Sequence, residues 1–236
     1  AKFMGQYGYK MRDLRDLIIP FALIGVPIFI IMIAQRETGS ALVFLSFLLV
    51  FYRYGMTGYV LGWGVASIVL FILVIRFGEV ALPIGVGNVG SLVSTLLIHA
   101  TAIGVLIAKE KDFRSLVIIS LGVLACYGIG LLLNIWTQIN FNYIGIASLA
   151  LTAIYLLVQS IKNRKLSYGW IAGFVLFSAV LCQGCDYAFH NILQRHQRVR
   201  IEVLLGMKDD PHGAGYNVNQ SLIAIGSGQF AGKGFL

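Results

Sequence analysis

The sequence predicts an all-α fold, a polytopic integral membrane helix bundle, and three observations carry that prediction. Hydrophobic residues make up 58% of the 236 positions and charged ones only 12%, whereas soluble domains carry roughly 25% charged residues. Mean hydropathy is +0.83. The apolar residues also fall in long runs that approach the ~20 residues a helix needs to cross a hydrocarbon core of ~30 Å. Backbone in lipid must satisfy its own hydrogen bonds, so these runs are helices and no sheet is expected.

In chain order, AKFMGQYGY reads as the end of a helix and leads into a basic loop holding Lys10, Arg12 and Arg15. Apolar runs follow at about 17–34, 41–52, 57–75, 88–108, 115–136, 142–161 and 168–184, which makes seven candidate spans in a bundle covering 1–184. The second is short, as a tilted or broken span would be. Between Phe77 and Gly90, Pro83 and several glycines predict a loop or an irregular helix entry. Residues 185–236 form the start of a large polar segment outside the bundle.

The formal charge of +8 is explained by loop lysines and arginines, without a nucleic-acid partner. Alternate loops separate it: Lys10, Arg12, Arg15, Arg53, Lys109, Lys111, Arg114, Lys162, Arg164 and Lys165 fall on one side, Arg36 and Arg76 on the other. The positive-inside rule makes the first set cytoplasmic. Residues from about Cys185 to the end are then extracytoplasmic, and their arginines call for an anionic partner.

Few isolated residues carry chemistry. Cys126 falls in mid-helix and packs as a small apolar group. Cys182 and Cys185 form a CxxC pair, but no second pair completes a zinc site and no βαβ pattern surrounds it; a disulfide at the membrane edge is the other reading. His99 has no histidine three or four residues away and is read as hydrogen-bonded inside the bundle. His190 and His196 are six apart, on different helix faces. No metal site follows from spacing.

The outer segment offers Arg195, Arg198 and Arg200, whose planar forks suit phosphate oxygens. Those phosphates belong either to membrane lipids that anchor the segment or to a substrate. The closing stretch GAGYNVNQSLIAIGSGQFAGKGFL superficially resembles a nucleotide phosphate loop through Gly228, Gly232 and Lys233. Ser227 stands where that motif needs its first glycine, and Gly234 leaves no metal-binding hydroxyl. Its glycines instead predict an irregular hairpin dipping toward the bilayer and lining a wet cavity.

The run DDPHGAGYNVNQSLIAIGSGQFAGKGFL closely resembles the signature outer loop of the RodA/FtsW (SEDS) family of polytopic peptidoglycan glycosyltransferases, with Asp210 to Gly215, Tyr216, Gln220, Ser221, Ala224 to Gly228 and Gly232 to Gly234 in place. The serine and the Lys-Gly-Phe look more like the RodA branch. AQRETGSALVF is similar to the family's Gln-Pro-Asp-Leu-Gly-Thr stretch at Gln35, Glu37, Gly39 and Ser40, and Ala1-Lys2-Phe3 to the end of its Pro-x-Glu-x-x-Lys motif. The resemblance covers about 1–76 and 186–236. Residues 79–184 then look like an insertion of four extra spans. The family's first and last helices are missing from the stretch, and its essential aspartate, in a His-Thr-Asp-Phe motif, is expected beyond Leu236. The piece as given is therefore expected to be inactive by itself.

The resemblance implies polymerisation of lipid II in the bacterial inner (cytoplasmic) membrane during cell elongation. The incoming sugar's 4-hydroxyl displaces undecaprenyl diphosphate from the growing glycan with inversion. Such chemistry needs a general base and positive charge where the diphosphate leaves. Lys2 matches a lysine facing the active cavity and is expected to be an electrostatic partner of the base or of diphosphate; an ordinary helix-end lysine is the competing reading. Arg198 and Arg200 are expected diphosphate clamps, and Gln220, Ser221 and Lys233 are expected to line the substrate site. Glu37 is read as a cap or a partner of Arg36. A divalent cation, Mg²⁺ or Mn²⁺, is compatible with this chemistry as a bridging counterion. The partners implied are lipid II, membrane lipids and a class B penicillin-binding protein. Two other function classes fit many spans and a basic outer segment: a transporter or flippase for polyprenyl-linked sugars, and a membrane scaffold for that penicillin-binding protein.

Overall fold

The computed structural model describes residues 14–31, 43–44, 46–83, 85–210, 213, 215–228 and 232. Nine α-helices are defined among them: α1 Leu14–Ile30, α2 Phe47–Arg53, α3 Gly58–Gly78, α4 Val89–Glu110, α5 Phe113–Asn134, α6 Phe141–Asn163, α7 Leu166–Tyr187, α8 Arg195–Leu204 and α9 Tyr216–Gly228. A π-helical turn, Ala188–Ile192, extends α7. The described residues form no strand, only the isolated bridges Ala81 to Asn88 and Val86 to Asn140.

Helices α3 to α7 are long and apolar enough to cross a membrane, the last counted through Ile192. The chain is an integral membrane protein. The first two predicted runs lie partly outside the described residues; within them α1 holds Pro20 and Pro27, and α2 is a seven-residue helix. The seventh run, predicted to stop at 184, stays helical to Ile192.

The chain divides into two compact units, 1–68 and 69–236, at a point within α3. In the first, Phe51 and Met56 are buried against Ile24, Leu48, Val60 and Leu61. The second has α6 packed against α7 and α5, with α4 lying against α6 and α7. Lipid provides little hydrophobic drive for helix association, so close van der Waals approach between small residues takes its place. The seam shows it: Ala102, Ala153, Ala172, Ser94, Ser148 and Ser178 are almost inaccessible, interleaved with Ile98, Leu106, Leu156 and Val175. At Gly90 the helix comes so near α3 that an added Cβ would sit 2.9–3.0 Å from the backbone of Gly78, Leu73 and Phe77.

The two ends of this bundle are built differently. At one end the α4–α5 and α6–α7 turns lie together. Lys111 and Arg164 close their helices in the left-handed conformation, at φ 51° and 52°. Lys165 pairs with Glu110 at 2.5 Å, and the Tyr168 hydroxyl donates to Asp112 at 2.8 Å. Asp112 also caps α5 through the Ser115 amide at 3.1 Å and accepts from the Ser115 hydroxyl at 2.6 Å. Ser115 in turn meets the Tyr155 hydroxyl at 2.9 Å.

The opposite end is closed by residues 80–89, the loop the glycines and Pro83 predict. Leu82 donates to Gly87 at 3.0 Å, Val89 to Val80 at 2.8 Å, and Phe141 to Val86 at 2.7 Å. Gly85 takes φ +100°, and a Cβ there would strike the Phe141 ring.

Candidate functional site

The segment resembling the family signature follows α7 directly. The π turn ends with Leu193 donating to Ala188 at 2.9 Å, and one-turn π insertions of this kind are frequent at functional sites. His190 places Nδ1 2.9 Å from the Asp186 carbonyl and 3.5 Å from its carboxylate. Helix α8 starts where the Gln194 amide donates to the Gln197 side chain at 3.2 Å.

Arg198 turns back onto the π turn. Its Nη2 donates to the His190 carbonyl, and its guanidinium stands 5.5 Å from the centroid of buried Phe189. Nε is buried and has no partner among the described residues. Arg200, two positions on, emerges about 200° around the helix, exposed and without an ion pair or hydrogen bond among the described residues. The helix thus does not bring the two expected clamps together on one face; only Arg195 shares the Arg198 side.

Gly206 ends α8 at φ +67°. Its amide donates to Val203 at 3.1 Å and that of Met207 to Glu202 at 2.7 Å, the paired bonds of a Schellman cap. Asp210 then organises the next turn. Its carboxylate accepts from the Gly213 amide at 3.0 Å, and its carbonyl from the Gly215 amide at 3.0 Å. Gly215 is buried, and a Cβ there would lie 2.7 Å from the Asp210 carbonyl oxygen. That explains Asp and Gly at these places: an acceptor starts the turn, and the second glycine lets the backbone fold onto it.

The expected irregular hairpin is corrected in its first half. Residues 216–228 form helix α9, which begins with Asn219 donating to Gly215 at 2.9 Å. Once Asp210 has fixed the turn, NVNQSLIAI has no breaker, and Gly226 and Gly228 fall only in the last turn. Gln220 and Ser221 are exposed on α9. Lys2, Lys233, Gln35 and Glu37 lie outside the described residues, so the structure bears on none of them.

A second polar feature went unremarked in the sequence. Asn88, Ser91, Thr95 and His99 follow one face of α4, a pattern legible as i, i+3, i+7 and i+11. His99 is hydrogen-bonded inside the bundle, as expected: Nδ1 lies 2.8 Å from the Thr95 carbonyl and Nε2 3.2 Å from the Thr152 hydroxyl. A carbonyl only accepts, so Nδ1 carries the proton and Nε2 accepts from Thr152. Asn142 accepts from the Asn88 amide at 3.2 Å and from the Ser91 hydroxyl. Asn88, Ser91, Thr95 and Asn142 border a cavity of about 480 Å³ between α4, α6 and α7.

Cys126, Cys182 and Cys185 are free thiols, with Cys182 buried. Among the described residues no three His, Cys, Asp or Glu side chains converge on one point. The donor set for a protein-held cation is not assembled from them.

The fold and this segment define a polytopic membrane protein with an arginine-bearing, glycine-turned stretch following α7. Comparison with known proteins gives the class. Residues 146–236 match the family model FtsW/RodA/SpoVE, described as "Cell cycle protein"; the match opens inside α6, within the segment read above as an insertion, and takes in α7, the π turn, α8 and α9. The chain is similar to the peptidoglycan glycosyltransferase RodA of Treponema pallidum (strain Nichols), 29% identical over 120 residues, covering 44% of this chain and 28% of the relative. It is also similar to the peptidoglycan glycosyltransferase MrdB of Escherichia coli (strain K12) and of Shigella flexneri, in each case 51% identical over 45 residues, 19% of this chain and 12% of the relative. No solved structure matches. Over residues 146–236 the chain is similar to the FtsW/RodA/SpoVE family. It spans between about an eighth and just over a quarter of the length of these relatives.

Proposed function

We propose that this chain is part of a peptidoglycan glycosyltransferase that polymerises lipid II at the outer face of a bacterial cytoplasmic membrane during elongation. The observation that carries the reading is the unbroken stretch from α8 to α9. Arginines, a turn organised by Asp210 and a helix presenting Gln220 and Ser221 follow one another there in the order of the family signature, inside the matched region.

In this reading the described residues bind and position. Arg200, free to leave α8, supplies charge where the diphosphate departs, which lowers the cost of the developing anion. Arg198, held by His190 and Phe189, fixes the direction in which α8 leaves the membrane. Gln220 and Ser221 offer amide and hydroxyl groups to the sugar. The resemblance offers Lys2 and Lys233 as further cationic groups, and it assigns the base that takes the 4-hydroxyl proton to neither α8 nor α9. Residues 79–145 precede the matched region, and a class B penicillin-binding protein is the partner.

The test is incubation of the purified full-length protein with lipid II, with glycan products resolved on a gel. Polymer is expected. Transfer of lipid II across vesicle membranes without polymer would replace this reading by the flippase one.

A further inference from the structure

We propose that the cavity between α4, α6 and α7 binds the uncharged sugar head of a glycolipid whose acyl chains lie in the surrounding bilayer. This site is separate from the signature stretch and does not rest on the reading above. Its volume, about 480 Å³, lies within the roughly 300–1,000 Å³ typical of small-molecule sites.

The lining is mixed. Asn88, Asn142, Gln183 and Asp186 line it together with apolar Ile98 and Leu149. A cavity lined by apolar side chains together with carboxamides, a carboxylate and a tyrosine ring suits a ligand with a hydroxylated end and a hydrocarbon end. The hydrogen-bonding capacity of the polar groups is not consumed internally. The Gln183 amide and the Asn142 Nδ2 make no hydrogen bond among the described residues, since the contacts of Asn142 to Asn88 and Ser91 all use Oδ1.

Charge selects the head. Among the described residues no lysine or arginine lines the cavity, and Asp186 is its one formal charge, met by His190 one turn away. A phosphate head would face the Asp186 carboxylate, with only His190 beside it among the described residues. A sugar offers hydroxyls that both donate to Asp186 and accept from the amides, and its apolar face covers the Tyr187 ring.

Cys182 lines the same cavity and reports on its occupancy. The full chain carrying Cys126→Ser and Cys185→Ser is placed in phosphatidylcholine nanodiscs, and alkylation of Cys182 by N-ethylmaleimide is followed by mass spectrometry. Three lipids with identical tails are compared as minor components: monoglucosyl diacylglycerol, diacylglycerol, and a trimethylammonium analogue. The glycolipid is expected to slow alkylation about tenfold, as a ligand at about ten times its Kd does by mass action, while the other two leave the rate unchanged. Gln183→Leu should abolish that protection, and Asp186→Asn, which keeps the hydrogen bonds, should retain it. Equal protection by diacylglycerol, stronger protection by the cationic lipid, or no protection by the glycolipid would overturn the proposal whether or not the protein polymerises lipid II.

Discussion

Asp210 and Asp112 show how single carboxylates govern this chain. Asp210 holds the turn before α9 with its side chain on Gly213 and its carbonyl on Gly215. A hydrogen bond to a charged group contributes about 1.5–3 kcal/mol, so Asp210→Ala should speed hydrogen exchange at the Gly213 and Gly215 amides by about tenfold or more while leaving the α4 and α6 cores unchanged. Asp112 joins both turns at the other end. Its bonds from the Ser115 hydroxyl, foremost, and from Tyr168 hold its carboxyl below the ordinary value of 3.8 against the opposing effect of burial. A group whose folded pKa is depressed binds fewer protons folded than unfolded, so its contribution is full above 3.8 and disappears as pH falls through the lower folded value. Asp112→Asn should therefore flatten the acid limb of a thermal-unfolding profile below about pH 4, and Asp112→Ala should cost about 1 kcal/mol through loss of the α5 cap. An unchanged acid limb would show that the carboxylate does not couple the two turns.

At the scale of elements, closeness of approach decides what a position tolerates. Gly90 faces backbone of α3, which cannot rotate aside as a side chain can, so Gly90→Ala should lower the midpoint of thermal unfolding in detergent and loosen the entry of α4. Gly104 lies on the same helix with nothing within 4 Å of an added Cβ. There Ala should be neutral or stabilise by up to about 1 kcal/mol, because glycine costs helix propensity and alanine does not. The long helices were legible because uninterrupted apolar runs leave the backbone no other state in lipid. Helix α9 was not, because its flanking glycines signal turns: the turn is real, but Asp210 confines it to 210–215 and the following residues are free to coil. The relation of Arg198 to Arg200 was readable in principle, since two positions on a helix face apart, once α8 is known to be helical.

For the molecule as a whole, the membrane class and the apolar runs that become α3 to α7 were legible in the sequence. It hid the features that depend on packing between distant helices. The cavity bordered by Asn88 and Asn142 joins residues 54 apart, and the Asp112–Tyr168 bond joins residues 56 apart; neither pairing follows from local pattern. The central claim is that the stretch from α8 to α9 belongs to the glycosyl-transfer site. It is tested most directly by the rate of lipid II polymerisation in the full-length protein carrying Arg200→Ala. The account predicts a fall of about 10²-fold, the scale of losing one charged transition-state contact, with the protein still folded in the membrane. Polymerisation at the wild-type rate would contradict it.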